Sequence, residues 1–182
     1  WLALGLASEY GEFIVCHDVD RKTYVGEDIS RLLFPLTEGN KFVKGYYARI
    51  ENDRLYGRLC RLFYAPLVRS LRGLYDTPIL RYLDVFRYGL AGEFGIRSQE
   101  VKRIKMERGF GLEVGLLGEA FNFAGFESTA QGDLGIYEHF HREKSGPNGL
   151  AEMSLEVSGA LFGILRREGV KVKYDVARKA YE

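Results

Sequence analysis

The amino-acid sequence predicts an α/β fold in which helices flank a mixed sheet, and three observations support this. A short apolar run at 12–17 does not alternate with polar residues, which is typical of a strand buried on both faces. Two further segments, 41–50 and 128–137, also predict strands. Between the strands, apolar residues recur at helical spacing. With 182 residues, the chain is long enough for one domain, 1–182, with its own core.

The composition is that of a soluble globular domain and restricts its partners. Hydrophobic residues make up 46% of the chain and charged residues 28%. A net charge of +1 gives no whole-chain attraction to nucleic acid or to a membrane surface, so any anion recognition must be local. No apolar run is long enough to span a bilayer. The two cysteines, Cys16 and Cys60, are expected to be reduced thiols of a cytoplasmic protein.

The first third of the chain is expected to alternate helix and strand. Residues 1–10 predict a helix that opens on Trp1 with no strand before it, so we expect a piece of a longer protein, cut within an α/β unit. After the 12–17 strand come a predicted helix at 27–36 and the strand at 41–50. The apolar face of that second helix is expected to comprise Ile29, Leu32 and Leu33.

A basic helix is predicted to follow, with leucine and phenylalanine at helical spacing and a kink at Pro66. Its arginines are Arg54, Arg58, Arg61, Arg69 and Arg72. Most of them are best explained as a solvated face. The pair Gly57 and Arg58 is the exception, because a helix start with free amides beside a guanidinium suits a phosphate or a carboxylate.

The second half predicts a small-residue turn, two helices, a strand and a long final helix. The turn falls at 90–95, Ser98 is expected to cap a short helix that runs to residue 104, and a glycine-rich stretch from residue 109 opens an apolar helix. After the 128–137 strand, the polar loop 142–149 is a candidate lid. The final helix is expected over 148–168.

Two carboxylates, Asp18 and Asp20, follow directly on the 12–17 strand. In open α/β sheets, ligands bind beyond the carboxyl ends of strands. On a continuing strand, residues i and i+2 point the same way. Two hard oxygen ligands facing one spot suit Mg²⁺ or Mn²⁺ and the phosphates that these ions carry. Such a pair is also common in turns and caps, so it is not decisive alone.

The sequence weighs against two other uses of this pair. An EF-hand loop is excluded, because Lys22 and Thr23 stand where an Asp or Asn followed by Gly is required. A phosphatase that uses Asp18 as its nucleophile would want Asp-x-Asp-x-Thr. The threonine, Thr23, comes one place too late, which weakens this alternative without eliminating it.

Three more titratable residues are candidates for a site. Glu113 lies within an apolar run, where a buried carboxylate needs a partner or a chemical role, although a surface position on a helix is equally open. His139 and His141 follow the 128–137 strand and are one residue apart, like the two aspartates. One of them could complete a metal site. Loop histidines without such a role are the more frequent case.

Five motifs run through nearly the whole chain in a fixed order. They are Asp18-Val19-Asp20; Gly57-Arg58-Leu59-Cys60-Arg61-Leu62 with Pro66-Leu67; Leu90-Ala91-Gly92-Glu93; Gly111-Leu112-Glu113-Val114-Gly115-Leu116-Leu117; and Ala130-Gln131-Gly132-Asp133-Leu134-Gly135 with His139. This set resembles the glucosyl-3-phosphoglycerate synthases, the retaining glycosyltransferases of family 81. No single motif is decisive, but five in order are hard to obtain by chance. The resemblance implies the C-terminal portion of a GT-A (Rossmann-like) glycosyltransferase domain.

The resemblance also implies a role for each motif. By this likeness, the metal ligands for Mg²⁺ or Mn²⁺ are Asp18, Asp20 and His139; the 3-phosphoglycerate loop is Gly57, Arg58, Leu59 and Cys60, with His141 on the acceptor side; and the sugar pocket is Leu90, Ala91 and Glu113. Asp20 and Glu113 are the implied catalytic residues. The family usually has Thr where Cys60 stands, which removes one hydroxyl contact to the acceptor.

The implied reaction moves glucose, or mannose, from a nucleotide-sugar such as UDP-glucose to 3-phosphoglycerate, for compatible-solute synthesis. The strands that hold uracil and ribose in the family have no counterpart before Trp1, so we expect weak donor binding. The alternatives are the phosphatase and a non-catalytic remnant that binds an anion or a partner through the Arg58 region. The resemblance also allows a homodimer, with the long final helix as its candidate contact.

Overall fold

The computed structural model of the chain describes residues 2–22, 24–51, 53–138 and 149–182. It has the expected α/β fold, with a mixed sheet flanked by helices. In chain order, the elements are α1 (Leu2–Ala7), β1 (Phe13–Cys16), α2 (Gly26–Thr37), β2 (Phe42–Glu51), β3 (Arg54–Leu55), a π-helix (Leu59–Tyr64), α3 (Ala65–Tyr75), α4 (Pro78–Asp84), β4 (Phe94–Arg97), α5 (Ser98–Val101), a 3₁₀ turn (Gly109–Gly111), α6 (Leu112–Phe123), β5 (Thr129–Tyr137), α7 (Gly149–Arg167) and α8 (Tyr174–Tyr181).

Strand β2 organises the sheet. The strand order is β1-β4-β2-β3, and β5 pairs with β2. Strand β4 is antiparallel to both β1 and β2, whereas β5 runs parallel to β2. Phe42 of β2 therefore has Ile96 on one side and Thr129 on the other.

Helix α2 covers one face of the sheet at close range. Leu32 and Leu36, four residues apart, are fully buried. The carbonyl of Leu32 would lie 2.8 Å from a Cβ placed at Gly95 of β4, so the glycine permits this approach. The expected apolar face was placed wrongly in part, because Ile29 is 52% exposed and the buried stripe continues to Leu36 instead.

Strand β1 forms at the predicted place but is not buried on both faces. Of its four residues only Ile14 is buried, and the other three are half-buried. In the described part of the chain, β1 pairs with β4 alone, which leaves its other side without a sheet neighbour.

The basic segment begins differently from the prediction. Residues Arg54 and Leu55 pair with the end of β2 as a short hairpin strand rather than starting a helix. The helix starts near Arg58 with a π-helical stretch and becomes α-helical at Ala65. Pro66 lies just after the change from π-helix to α-helix, within helical backbone that is continuous from 58 to 75, where it has no N–H to donate to the preceding turn.

The second half agrees with the sequence for the long elements and differs for the short ones. Helix α6, strand β5 and helix α7 lie where expected. Helix α5 ends at Val101, and the Ser98 hydroxyl donates to the Gly11 carbonyl instead of capping the helix. Helices α4 and α8 and strand β4 were not anticipated. Asn148 and the rest of the candidate lid up to α7 lie outside the described residues.

Two further properties bear on the sequence predictions. Cys16 and Cys60 are both free thiols. None of the helices in the described part of the chain combines the length and the apolar character needed to cross a bilayer.

Candidate active site

The two aspartates lie in a turn that follows β1, not on the strand itself. The strand ends at Cys16, and the exposed Val19 separates Asp18 from Asp20. The expectation that one strand face presents both carboxylates is therefore wrong. They are nevertheless close enough for the charge of Asp20 to contribute to the raised pKa of Asp18.

Asp18 packs against residues 88–93, which we call the 88–93 loop. Its backbone N–H donates to the Glu93 carboxylate at 3.4 Å. A Cβ placed at Gly92 would overlap the Asp18 carboxylate. Glycine at position 92 is thus required for the observed position of Asp18.

Asp18 and Asp20 supply two carboxylates, which are the ligand type that hard divalent cations prefer. Burial raises the pKa of Asp18 to about 7, and the nearby carboxylates of Glu93, Asp20 and Glu113 contribute to the rise, against the opposing charge of Lys44. A bound cation would relieve this crowding of negative charge. Within the described residues, no three His, Cys, Asp or Glu side chains converge on a metal position. The implied third ligand, His139, lies outside the described residues.

Glu93 connects the turn that carries Asp18 to strand β5. Its side chain is 0% exposed and accepts a hydrogen bond from the Tyr137 hydroxyl of β5. The Tyr137 ring stacks on Tyr47 at 4.1 Å, and the Arg21 guanidinium lies 4.4 Å from the Tyr137 ring. Arg21 in turn forms a buried ion pair with Asp28 of α2. The segment after β1 is therefore fixed by both β5 and α2.

Lys44 of β2 is a site residue that the sequence motifs did not reveal. Its side chain is 1% exposed, and Nζ donates to the Ala91 carbonyl at 2.5 Å. Burial lowers the pKa of Lys44, while the charges of Glu113, Glu93 and Asp18 oppose that shift. A single lysine within the otherwise apolar run 42–47 was the available signal, because a charge at a core position needs a partner.

Glu113 reaches the same place from α6. It lies in the first turn of that helix and is half-buried. Burial raises the pKa of Glu113, and the Lys44 charge opposes the rise. Glu113 is therefore neither fully exposed nor fully buried, and the charges of Glu113 and Lys44 are close enough to interact.

The predicted acceptor loop starts the basic helix, as expected. Gly57 has φ +83°, and the Tyr88 hydroxyl would lie 2.5 Å from a Cβ at this position. Burial raises the pKa of that hydroxyl to about 12, and the guanidinium of Arg49 on β2 is close enough to oppose the rise. Arg58, the next residue after Gly57, is exposed at the helix start. Three groups suited to anion binding therefore surround one turn: Arg49, Arg58 and the free amides of the helix.

Cys60 joins the acceptor loop to the 88–93 loop. It is 4% exposed, and burial raises the pKa of its thiol. The backbone N–H groups of Leu90 and Gly89 are close enough to the thiol to oppose that rise in its pKa. Ala91 is fully buried, so it contributes its carbonyl to Lys44 rather than an exposed methyl group. Cys60 and Ala91 thus belong to the hydrophobic core, and Leu59 and Leu90 pack against it; His141 lies outside the described residues.

A surface depression of about 390 Å³ elsewhere on the molecule is not a competing site. Arg69, Arg72, Gly73, Asp76 and Asp84 line it, between α3 and α4. Its charges pair among themselves, as Arg72 Nη1 and Asp84 Oδ2 do at 2.6 Å. None of the predicted site residues lines this depression.

Comparisons with known proteins identify relatives over nearly the whole chain. The glucosyl-3-phosphoglycerate synthase of Methanococcoides burtonii is 42% identical over 148 residues, which cover 79% of this chain and 37% of that protein. The synthase of the same name from Persephonella marina is 38% identical over 178 residues, or 93% of this chain and 44% of that protein. The chain therefore spans less than half the length of these two relatives. No protein-family model matches it.

The crystal structure of glucosyl-3-phosphoglycerate synthase from Mycobacterium tuberculosis in complex with Mn²⁺, UDP-glucose and phosphoglyceric acid has the same fold. It superposes with a TM-score of 0.72 at 27% identity, over 94% of this chain and 55% of that chain.

The mixed sheet and its flanking helices are therefore those of the GT-A glycosyltransferases. Within that class, the chain belongs to the glucosyl-3-phosphoglycerate synthase family. The resemblance carried by the five sequence motifs is thus confirmed.

Proposed function

We propose that this chain forms the metal, sugar and acceptor part of a metal-dependent glycosyltransferase that moves glucose from UDP-glucose to 3-phosphoglycerate. The observation that carries the proposal is that one short loop, 88–93, lies against both an implied metal ligand and the implied acceptor loop. It packs on the implied metal ligand Asp18 through Gly92 and Glu93, and on the acceptor-side Cys60 through Gly89 and Leu90. Donor phosphate, sugar and acceptor would therefore meet around this loop.

Each group then has a defined task. Asp18 and Asp20 would hold Mg²⁺ or Mn²⁺, with His139 as the third ligand, and such an ion stabilises negative charge on a departing diphosphate. Glu113 is half-buried beside Lys44 and would accept hydrogen bonds from sugar hydroxyls. Arg58 at the helix start would bind the phosphate or carboxylate of 3-phosphoglycerate.

Positioning rather than covalent catalysis is the chemistry that this site supports. The described groups nearest the 88–93 loop are carboxylates, a lysine and a buried thiol whose pKa is raised. A buried protonated thiol is a poor nucleophile. We propose direct transfer with retention of configuration, in which the carboxylates serve the metal and the sugar hydroxyls rather than attack on the sugar, and holding donor and acceptor in contact supplies much of the rate.

The test is calorimetric titration of the chain with 3-phosphoglycerate, and then with UDP-glucose plus Mn²⁺. Each titration is repeated with Arg58→Ala and with Arg69→Ala, a matched control that removes an exposed arginine of the same helical segment, paired with Asp84. We expect acceptor binding that is lost in Arg58→Ala and kept in Arg69→Ala. A folded chain that binds neither ligand would contradict the proposal.

Product analysis separates the remaining possibilities for the reaction. The chain is incubated with Mn²⁺, 3-phosphoglycerate and either UDP-glucose or GDP-mannose, and glycosylated phosphoglycerate is measured. Transfer from UDP-glucose supports the proposed donor, whereas transfer from GDP-mannose alone would correct it. Release of phosphate from 3-phosphoglycerate without a sugar donor would favour the phosphatase alternative.

A further inference from the structure

Lys44 presents an uncommon arrangement, a lysine ammonium buried at the centre of the sheet. The side chain is 1% exposed, and its Nζ donates to the Ala91 carbonyl at 2.5 Å. Burying a charge is costly unless it is paired and hydrogen-bonded. A methionine would fill the same space without that cost, so the charge itself needs an explanation.

Lys44 and its neighbour Gly45 together hold one end of the 88–93 loop. While the Lys44 ammonium binds the Ala91 carbonyl, the Gly45 N–H donates to the Glu93 carbonyl at 2.9 Å. A Cβ at Gly45 would lie 2.9 Å from the Glu93 Cβ, so glycine permits this contact. Two consecutive residues of β2 thus fix the carbonyls on both sides of Gly92.

Gln131 of β5, the register partner of Lys44, fixes the chain just before this loop. Its side-chain oxygen accepts from the Arg87 N–H at 2.9 Å, and its Nε2 donates to the Val85 carbonyl at 3.1 Å. Two contacts therefore hold this part of the chain on the central strands. The Gln131 side chain binds the residues before the loop, and the Lys44 ammonium binds Ala91 within it.

The charges that act on Lys44 come from separate parts of the chain. Glu113 of α6 acts on it most strongly, followed by Glu93 of the 88–93 loop and Asp18 of the turn after β1. These elements carry the implied sugar-binding carboxylate and one implied metal ligand. All three carboxylates therefore interact with the same ammonium group.

We propose that Lys44 is the positioning residue of this site: through its hydrogen bond to the Ala91 carbonyl it fixes the 88–93 loop, and with it the contacts that Gly92 and Glu93 make with Asp18. Its kinetic consequence rests on the glycosyl transfer proposed above, whereas its effect on the loop does not. Lys44 touches neither donor nor acceptor in this assignment and acts through Ala91 and the rest of the 88–93 loop.

Lys41, which immediately precedes β2, provides a matched control. Its Nζ also donates to a backbone carbonyl, that of Phe123, at 3.0 Å. Lys41→Met therefore removes a lysine–carbonyl bond at the end of the same strand without touching the 88–93 loop. Lys44→Met removes the lysine–carbonyl bond to Ala91, and Lys44→Arg keeps a charged donor at position 44.

The experiment measures two properties of each variant and of the unaltered chain. The first is amide hydrogen exchange of peptides that cover the 88–93 loop. The second is kcat and KM for UDP-glucose, with Mn²⁺ and 3-phosphoglycerate held at saturation. Thermal unfolding of each variant is recorded alongside, to separate loss of positioning from loss of fold.

We expect Lys44→Met to speed exchange in the loop and to lower kcat about 10- to 100-fold, the cost of a misplacement of order 1 Å. Lys41→Met should leave both unchanged, and Lys44→Arg should restore part of kcat. Exchange and kcat that stay at the level of the unaltered chain in a folded Lys44→Met would overturn the inference.

Two outcomes separate this inference from the proposed function. If the unaltered chain transfers no glucose, the proposed function fails for this chain, and loop exchange alone decides the role of Lys44. If Lys44→Met does not fold, Lys44→Gln, which is shorter and uncharged, decides: faster loop exchange or a reduced kcat with a native melting temperature supports positioning, whereas unaltered exchange and an unaltered kcat overturn it.

Discussion

The carboxylate of Glu156 accepts a hydrogen bond of 2.6 Å from the backbone N–H of Phe110. Glu156 lies on α7, and Phe110 lies in the 3₁₀ turn that leads into α6. Gly111 of the same turn would place a Cβ 2.9 Å from Ala160, so the turn lies directly on α7. The last long helix therefore fixes the start of the helix that carries Glu113.

Glu156→Ala should lower the free energy of unfolding by about 1 kcal/mol, because an amide loses its charged acceptor at a partly solvated position. Urea denaturation measures the change. Glu152→Ala, one helical turn earlier on α7, is the control and should be within about 0.5 kcal/mol of the unaltered chain. Equal losses in both variants would show that the bond to Phe110 contributes nothing specific.

Gly92→Ala should weaken Mn²⁺ binding by about tenfold or more, because the added methyl overlaps the Asp18 carboxylate and displaces it. Calorimetric titration with Mn²⁺ measures the affinity. Gly73→Ala is the control, since a Cβ there meets open space on α3, and it should raise helix stability by up to about 1 kcal/mol without affecting the ion. Unchanged Mn²⁺ affinity in Gly92→Ala would remove Asp18 from the metal site.

Both thiols should react slowly with a disulfide reagent such as DTNB at pH 8 while the chain is folded. Burial raises the pKa of Cys16 to about 11 and also raises that of Cys60. At pH 8, a pKa of 11 leaves about one Cys16 in a thousand as the reactive thiolate. Rates in the native chain are compared with those in guanidinium, where both thiols should react fast. Fast labelling of one thiol in the native state would contradict its burial.

The ion pair of Asp76 with Arg81 should make stability depend on acid pH. The hydrogen bond from Arg81 lowers the pKa of Asp76 below its ordinary value. A lowered folded-state pKa contributes stability above the unfolded pKa of about 4, and that contribution is lost as pH falls through the folded value.

Asp76→Asn should therefore be less stable than the unaltered chain at pH 7 and equal to it near pH 2, as measured by chemical denaturation. Asparagine tolerates the left-handed backbone of this residue, which has φ +35°. Asp53→Asn, at another left-handed aspartate with φ +56°, is the control. A loss that persists unchanged at pH 2 would point to the backbone rather than to the charge.

The longer elements could be predicted from the sequence because their patterns are local. Enough apolar or β-branched residues recur at the right spacing to identify strands β2 and β5 and helices α6 and α7 from the sequence. Strand β4 could not be found this way, since its four residues follow a glycine-containing loop and show no alternation. It is a strand because β1 and β2 hold it from both sides, which is a property of the folded sheet.

The residues of the candidate site likewise differ in whether a local sequence pattern marks them. Asp18, Asp20, Arg58 and Glu113 were found because short motifs or an isolated charge mark them. The partners that fix their positions were missed: Tyr137 is indistinguishable by pattern from an ordinary strand residue, and the one signal for Lys44, a charge in an apolar run, does not say which groups it meets. Their roles arise only when α6, the 88–93 loop and β5 come together.

The placement of β4 between β1 and β2 also has a consequence for folding kinetics. Among the described strands β1, β4, β2 and β5, no two neighbours in the sheet are consecutive in the chain: Phe13 pairs with Arg97, and Phe42 pairs with Thr129. Closing such long loops is entropically costly before any contact repays it, which slows folding. Asp18 can meet Glu93 only after this closure, so the end of the sheet that carries Asp18 should be among the last parts of the chain to become ordered.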